Sequence, residues 1–261
     1  MVDAIDGNVR LTEPPIEKTH DVLTDIIDCL QTSLADTLKP MTLLIAAKCN
    51  DGILLAADNA KRDGIDGPWS SGGLKWLVGE REGRCYAIVF GGEAKITDEI
   101  STLALLTKAC WMTGHDLHHH VAETIKGGLE NEFHHGPFDS ETERQSYGQT
   151  SVLVYLASDS AALWRLAITR HGAEGQCFHQ PDLDMFDLPG DQSVRNQLQA
   201  MRSPCATVIE AAGIIGSMFE YACANLEAAR FPGAAVWIRP TGAKVVKFNS
   251  RAALLAGLAE S

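Results

Sequence analysis

Residues 42–58 read TLLIAAKCNDGILLAAD and contain two apolar runs on either side of an Asn-Asp-Gly tripeptide. Such a tripeptide is typical of a tight hairpin turn, because its residues tolerate the positive φ angles that short turns require. The two runs are continuously apolar rather than alternating, which indicates strands that are covered on both faces. The stretch therefore predicts a buried β-hairpin with strands at residues 42–49 and 53–58.

The rest of the chain alternates between strand patterns and helical patterns. Strand patterns occur at residues 74–79, 85–91, 150–157, 162–168, 235–238 and 245–248, helical periodicity occurs at 96–110, 117–129, 192–201 and 206–228, and residues 137–149 read as a polar loop. Two helical blocks separated by strand pairs favour a layered arrangement of helices, sheet, sheet and helices. The sequence therefore predicts an α+β fold, a four-layer αββα sandwich with one core.

Composition and charge exclude several classes of protein. The chain has 261 residues, of which 45% are hydrophobic and 21% charged, as expected of a folded globular protein. Its net charge of −12 opposes binding to phosphate backbones and to anionic membranes. The seven cysteines form no CxxC pair, and no apolar run approaches the roughly 18 residues that span a bilayer. We therefore expect a cytoplasmic protein with reduced thiols, no nucleic-acid partner and no membrane segment.

The first forty residues differ from the rest in composition and in hydrophobic pattern. They are acidic, and apolar residues recur at helical spacing between Val22 and Leu38. The opposite face of that helix carries Asp21, Asp25 and Asp28, so its apolar face must dock on another surface. We interpret residues 1–40 as an N-terminal extension or propeptide with one amphipathic helix, which masks a site or docks on a neighbouring subunit.

Histidines concentrate in one segment of the chain. They are His115, His118, His119, His120, His134 and His135. An i, i+4 pair such as His115 and His119 would share a helix face and could bind a metal, but no cysteine or carboxylate completes a ligand set. The alternative is a solvated helix surface, which the missing ligands favour, so we expect no metal ion. The chain also has no GxxxxGK or GxGxxG motif, and we expect no organic cofactor.

Two charged residues interrupt the apolar strands. Asp58 ends the second run of the hairpin, and Lys75 lies inside the apolar stretch at residues 74–78. A single charge is costly to bury unless an opposite charge accompanies it. One interpretation is that each side chain reaches water at a strand end. The other is that the two converge on one site, where a desolvated lysine assists a nucleophile.

A resemblance to a known family supplies a third residue for that site. The stretch from Thr42 through the Asn-Asp-Gly turn to Asp58, followed by Gly64 and Lys75, resembles the opening of proteasome-type β subunits. These subunits are threonine peptidases and belong to the N-terminal nucleophile (Ntn) hydrolases. The spacing from Thr42 to Gly64 matches without a gap, and Lys75 is reached with one inserted residue. The resemblance implies an Ntn-type αββα sandwich over residues 41–261.

The resemblance also implies a role for each matched residue. Thr42 would be the nucleophile, and its own freed α-amino group, with an ordinary pKa of about 7.7 to 8.0, would carry the proton. Lys75 would ease deprotonation of the hydroxyl, and Asp58 would orient Lys75. Gly91 would offer a backbone N–H to the oxyanion, although Gly92 fits almost as well. Peptide or unfolded-protein substrates, a homo-oligomeric ring and an ATP-dependent unfoldase are the partners that the resemblance implies.

The sequence departs from the family pattern at several positions. Met41 stands where active members have glycine, so Thr42 becomes N-terminal only by initiation at Met41 or by cleavage after it. The family's supporting Asp and Ser before the last hairpin are missing, because residues 225–233 contain only Glu227 as an acid. Arg62 replaces a substrate-binding threonine, and Ser193 aligns only loosely with a supporting serine.

These departures leave alternatives to a threonine peptidase open. The first is a catalytically inactive structural subunit or scaffold of a proteasome-like assembly, in which Thr42 is never freed. The second is an Ntn amidase that acts on a small molecule. The state of the Thr42 amine distinguishes the inactive subunit from both enzymes.

Overall fold

The hairpin at residues 42–58 forms as the sequence predicts. In the computed structural model, strand β1 (Leu44–Cys49) pairs antiparallel with β2 (Gly52–Ala57), and Gly52 has a φ of 148°. The structure describes residues 42–62, 69–71, 75–81, 84–92, 114–158, 162–186, 192–226 and 229–260. They all belong to one of the chain's two compact units, which covers Lys39–Ser261.

Gly52 is a position where a side chain is not tolerated. A Cβ atom there would lie 2.5 Å from the carbonyl oxygen of Ile238, on a backbone whose φ disfavours any other residue. We therefore expect Gly52→Ala to lower the free energy of unfolding by about 1–3 kcal/mol. The matched control is Gly127→Ala on an exposed helix face, where a Cβ meets nothing within 4 Å. Urea unfolding should show a loss for Gly52→Ala and none for the control; equal stabilities would contradict the prediction.

The described residues form ten further strands and five helices, each numbered along the chain. The remaining strands are β3 (Ala60–Arg62), β4 (Trp69–Ser71), β5 (Trp76–Arg81), β6 (Arg84–Gly91), β7 (Val152–Ser158), β8 (Leu163–Thr169), β9 (Gly172–Phe178), β10 (Asp182–Met185), β11 (Gly233–Arg239) and β12 (Gly242–Phe248). The helices are α1 (Gly114–His135), α2 (Glu141–Tyr147), α3 (Gln192–Ala200), α4 (Val208–Asn225) and α5 (Arg251–Ala259).

Ten of these strands build two antiparallel sheets of five strands each. Sheet one has the order β10-β1-β2-β11-β12, so the hairpin lies at its centre. Sheet two has the order β5-β6-β7-β8-β9, and β3 with β4 forms a separate two-stranded ribbon. Helices and antiparallel sheets together confirm the predicted α+β class.

Three clusters of buried side chains explain the continuous apolar runs. Along β1, Ile45 and Ala47 pack in a cluster with side chains of α3, α4 and α5. Leu44 and Ala46 point the other way, into an inter-sheet cluster that also contains residues of β6 and β7. A third cluster joins sheet two to α1. Both faces of the central strands are therefore covered, as the sequence predicts.

Some predicted boundaries were wrong or incomplete. Residues 137–149 were expected to be loop, yet they contain α2, which Ser140 caps and which has no buried residue. A capped polar helix without an apolar stripe leaves no periodicity to detect. The sequence reading also missed β9 and β10 and the terminal helix α5, because β9 is largely exposed and β10 has only four residues. The helix predicted at residues 96–110 lies outside the described residues.

The described residues also bear on two expectations from the sequence, the reduced cysteines and the missing membrane segment. Five cysteines among them form no disulfide bond, and of these Cys49, Cys85 and Cys205 are buried. None of the described helices is long and apolar enough to cross a membrane.

Candidate active site

Thr42 lies at the end of the central hairpin, beside the first residue after β2. The β1–β2 register pairs Leu44 with Ala57, so Leu43 lies opposite Asp58. The backbone N–H of Asp58 donates to the carbonyl of Leu43 at 3.1 Å, and the hydroxyl of Thr42 donates to the Asp58 Oδ1 atom at 2.8 Å. The turn fixes the pairing of β1 with β2, and this pairing places the Thr42 hydroxyl beside the Asp58 carboxylate.

Asp58 is buried, with 2% of its surface exposed, and hydrogen bonds hold both of its oxygens. Besides Thr42, Oδ1 accepts from the backbone N–H of Leu43 at 3.1 Å and from the Lys75 ammonium at 2.8 Å. Oδ2 accepts from the backbone N–H of Ala60 at 3.0 Å. These donors compensate the cost of burying a charged carboxylate.

Lys75 reaches the site from sheet two. It immediately precedes β5, and its carbonyl accepts a hydrogen bond from the Phe90 N–H at 2.9 Å. Its Nζ atom donates to the Thr42 Oγ1 atom and to Asp58. Only 12% of the lysine side chain is exposed, and this burial lowers its pKa from the ordinary lysine value, although Asp58 opposes the shift. The second interpretation of the sequence is therefore the one that the geometry favours.

Gly91, the last residue of β6, lies directly against Thr42. A Cβ atom on Gly91 would be 1.9 Å from the Thr42 Cγ2 atom, so only glycine allows this approach. Gly92 has a φ of 135°, and a Cβ on it would meet the Ser151 carbonyl oxygen at 2.7 Å instead. Of the two glycines that the sequence left open, Gly91 is the one in contact with the threonine.

The four predicted residues therefore converge from the two sheets. Thr42 and Asp58 belong to the β1–β2 hairpin of sheet one, whereas Lys75 immediately precedes β5 and Gly91 ends β6 in sheet two. A hydroxyl that accepts from an ammonium and donates to a carboxylate is set up for activation as a nucleophile. The adjacent positive charge stabilises the alkoxide that deprotonation creates.

Cys223 is a neighbour of the site that the sequence reading missed. Its thiol pKa is raised to about 12, by burial and by the negative charge of Asp58. A thiol with this pKa stays protonated near neutral pH and is a poor nucleophile. The sequence holds no signal for this placement, because Cys223 is one of several scattered cysteines and its proximity arises from helix packing.

The other residues considered in the sequence contribute less. Met41, Gly64 and Glu227 lie outside the described residues, and Ser193 is exposed on α3. His118 is buried and stacks on Trp164, with 3.8 Å between the ring centroids. Among the described residues, no group of His, Cys, Asp and Glu side chains could hold a metal ion.

Comparisons with known proteins identify the fold. The sequence matches no protein-family model and no curated protein. The structure is similar to the helical assembly of the Anbu complex from Pseudomonas aeruginosa, with a TM-score of 0.59 at 16% identity, covering 84% of this chain and 94% of that one. It is similar to Anbu, described as an ancestral β-subunit, from Yersinia bercovieri, with a TM-score of 0.57 at 12% identity over 84% and 93% of the two chains. It is also similar to Anbu from Hyphomicrobium sp. strain MC1, with a TM-score of 0.56 at 12% identity, covering 84% of this chain and 94% of that one. At these identities the similarity shows the fold, which is proteasome-like.

Proposed function

We propose that this protein is a threonine-type peptidase of the proteasome family. It hydrolyses peptide bonds with Thr42 as an N-terminal nucleophile, after removal of the residues that precede Thr42. The observation that carries the proposal is the Thr42 hydroxyl, held between the Lys75 ammonium and the Asp58 carboxylate. The proteasome-like fold supports it, because that fold occurs in Anbu, described as an ancestral β-subunit.

The chemistry follows from the residues present. The Thr42 Oγ1 atom attacks the peptide carbonyl while its proton passes to the α-amino group of Thr42. A carbon–oxygen bond forms, and the backbone N–H of Gly91 stabilises the oxyanion. The tetrahedral intermediate then loses the amine, which takes the proton, and leaves an ester on Thr42. Water, deprotonated by the same amino group, hydrolyses the ester and regenerates the hydroxyl.

The proposal extends to the architecture of the chain. The three buried clusters fit a four-layer αββα sandwich of the Ntn type, with helices outside each sheet and the inter-sheet cluster between them. Residues 41–261 would form the hydrolase domain and residues 1–40 the extension. Freeing Thr42 requires cleavage between Met41 and Thr42 or initiation at Met41.

Self-association is part of the same proposal. The Pseudomonas aeruginosa neighbour is described as a helical assembly of the Anbu complex. We infer a homo-oligomer, in the form of a closed ring as the family resemblance implies, that takes unfolded polypeptides and works with an ATP-dependent unfoldase. A cytoplasmic location belongs to this proposal.

The N-terminus of the purified protein tests the function most directly. We expect intact mass and N-terminal sequencing of the full chain, expressed with its native start region, to reveal a species that begins at Thr42. The same preparation should hydrolyse members of a fluorogenic peptide panel. A chain that keeps Met1 after long incubation and cleaves no peptide would contradict the proposal and favour the inactive structural subunit.

A further inference from the structure

The proposed site depends on the position of one sheet relative to the other. Thr42 and Asp58 come from sheet one, and Lys75 and Gly91 come from sheet two. Much of the contact between the sheets is the apolar inter-sheet cluster. Apolar contacts are non-directional, so they restrict the sliding of one sheet over the other less sharply than hydrogen bonds do. The contact of Lys75 with Asp58 is itself directional, and a second directional contact, away from the site, would restrict sliding of the sheets further.

A buried polar cluster around Asp184 provides such a contact. Asp184 lies on β10 of sheet one and is 3% exposed. Its Oδ2 atom accepts from the Tyr155 hydroxyl at 2.6 Å and from Arg165 at 3.2 Å, and both donors belong to sheet two. Its Oδ1 atom accepts from Arg202, just after α3, at 3.0 Å. We call Asp184, Tyr155, Arg165 and Arg202 the Asp184 cluster.

The Asp184 cluster also connects to β1, the strand that begins two residues after Thr42. Phe186 lies two residues after Asp184, and its ring packs on Tyr155, with 4.7 Å between centroids, and under the Arg165 guanidinium at 4.4 Å. The backbone N–H of Phe186 donates to the carbonyl of Leu44 at 3.3 Å. Leu44 lies two residues after Thr42. Tyr155 and Arg165 of sheet two therefore contact both Asp184 and Phe186.

The Tyr155 hydroxyl can donate its hydrogen bond to Asp184 at any physiological pH. Its pKa is raised well above the ordinary tyrosine value, first by burial and then by the Asp184 charge. The hydroxyl therefore stays protonated through the physiological range and keeps its hydrogen bond to the carboxylate. A hydrogen bond between two buried groups, as between Tyr155 and Asp184, restricts the arrangement of the elements that it joins.

We propose that Asp184 and Tyr155 are positioning residues, which hold sheet one on sheet two in the register that places the Lys75 ammonium against the Thr42 hydroxyl. The inference rests on the proposed function for its catalytic consequence. Its structural consequence, the environment of Lys75, is independent of whether peptides are cleaved.

The test compares Asp184→Asn and Tyr155→Phe with Leu254→Ala in the full-length protein. Tyr155→Phe keeps the ring that packs on Phe186 and removes only the cross-sheet donor, so it serves even if Asp184→Asn fails to fold. Leu254 is buried in the cluster between sheet one and the helices, away from the inter-sheet contact, so its truncation destabilises the core without touching the Asp184 cluster.

Peptide hydrolysis and lysine NMR supply two separate measurements. We expect kcat to fall about 10- to 100-fold in Asp184→Asn and less in Tyr155→Phe, with KM changed less than about twofold, because small misplacements of reacting groups are costly. The ¹³Cε signal of Lys75 is assigned by its absence in Lys75→Met. It should titrate closer to the ordinary lysine pKa in both variants, because a looser contact between the two sheets admits water to Lys75. Leu254→Ala should leave kcat and the Lys75 titration unchanged below its unfolding temperature.

The outcomes separate this inference from the proposed function. Unchanged kcat and Lys75 titration in both cluster variants would overturn the positioning role, as would equal changes in Leu254→Ala. A wild-type protein that hydrolyses nothing would defeat the proposed function, and the Lys75 titration would then decide the positioning role alone.

Discussion

Replacing Thr42 with alanine is expected to reduce peptide hydrolysis by about 10⁴-fold or more, the scale seen when a catalytic nucleophile is removed. The hydroxyl is the group that contacts both Lys75 and Asp58, and alanine leaves no atom to form the ester. The measurement is kcat/KM on the best peptide of the panel, with the mass of each variant recorded beside it. Residual hydrolysis near the wild-type rate would show that another group performs the attack.

Thr42→Ser is the matched control for that loss. Serine keeps the oxygen between Lys75 and Asp58 and removes only the Cγ2 methyl group that faces Gly91. We expect Thr42→Ser to retain hydrolysis within about 10²-fold of the wild type, since the nucleophile persists and only its packing loosens. If serine and alanine are equally inactive while both fold, the methyl contact rather than the hydroxyl chemistry is essential, contrary to the proposal.

Gly91→Ala is expected to have the second largest effect, a loss of about 10²-fold or more in kcat. The new Cβ atom would lie 1.9 Å from the Cγ2 atom and 3.3 Å from the Oγ1 atom of Thr42, so the threonine or the end of β6 must move. Either movement separates the Thr42 hydroxyl from Lys75, which is anchored to β6 through the Phe90 N–H. The melting temperature should fall as well, because the overlap lies in a packed interior.

A second glycine in sheet two separates this effect from a general intolerance of alanine. Gly172 begins β9, and a Cβ atom there meets nothing within 4 Å. Gly172→Ala should therefore keep the wild-type kcat and melting temperature. Wild-type kcat in Gly91→Ala would mean that Thr42 does not lie against Gly91 in the active protein.

The hairpin was predictable because its information is local. Two apolar runs around the Asn-Asp-Gly turn specify the strands, and the turn specifies the register that sets Asp58 beside Thr42. The α+β class followed from the alternation of strand and helix patterns. Helix α2 and strand β9 escaped prediction because neither buries an apolar stripe or alternates cleanly.

The sequence alone determined which residues were candidates, and the tertiary structure decided how they meet. Thr42, Asp58, Lys75 and Gly91 stand out in the chain through charge in apolar strands, turn spacing and family resemblance. That the ammonium of Lys75 contacts the Thr42 hydroxyl, and that Gly91 rather than Gly92 faces it, depends on how two sheets are stacked. The same stacking creates the Asp184 cluster, whose members lie far apart in sequence. Local patterns specify strands and turns, but the distance between sheets results from the packing of side chains from many segments, which no short stretch encodes.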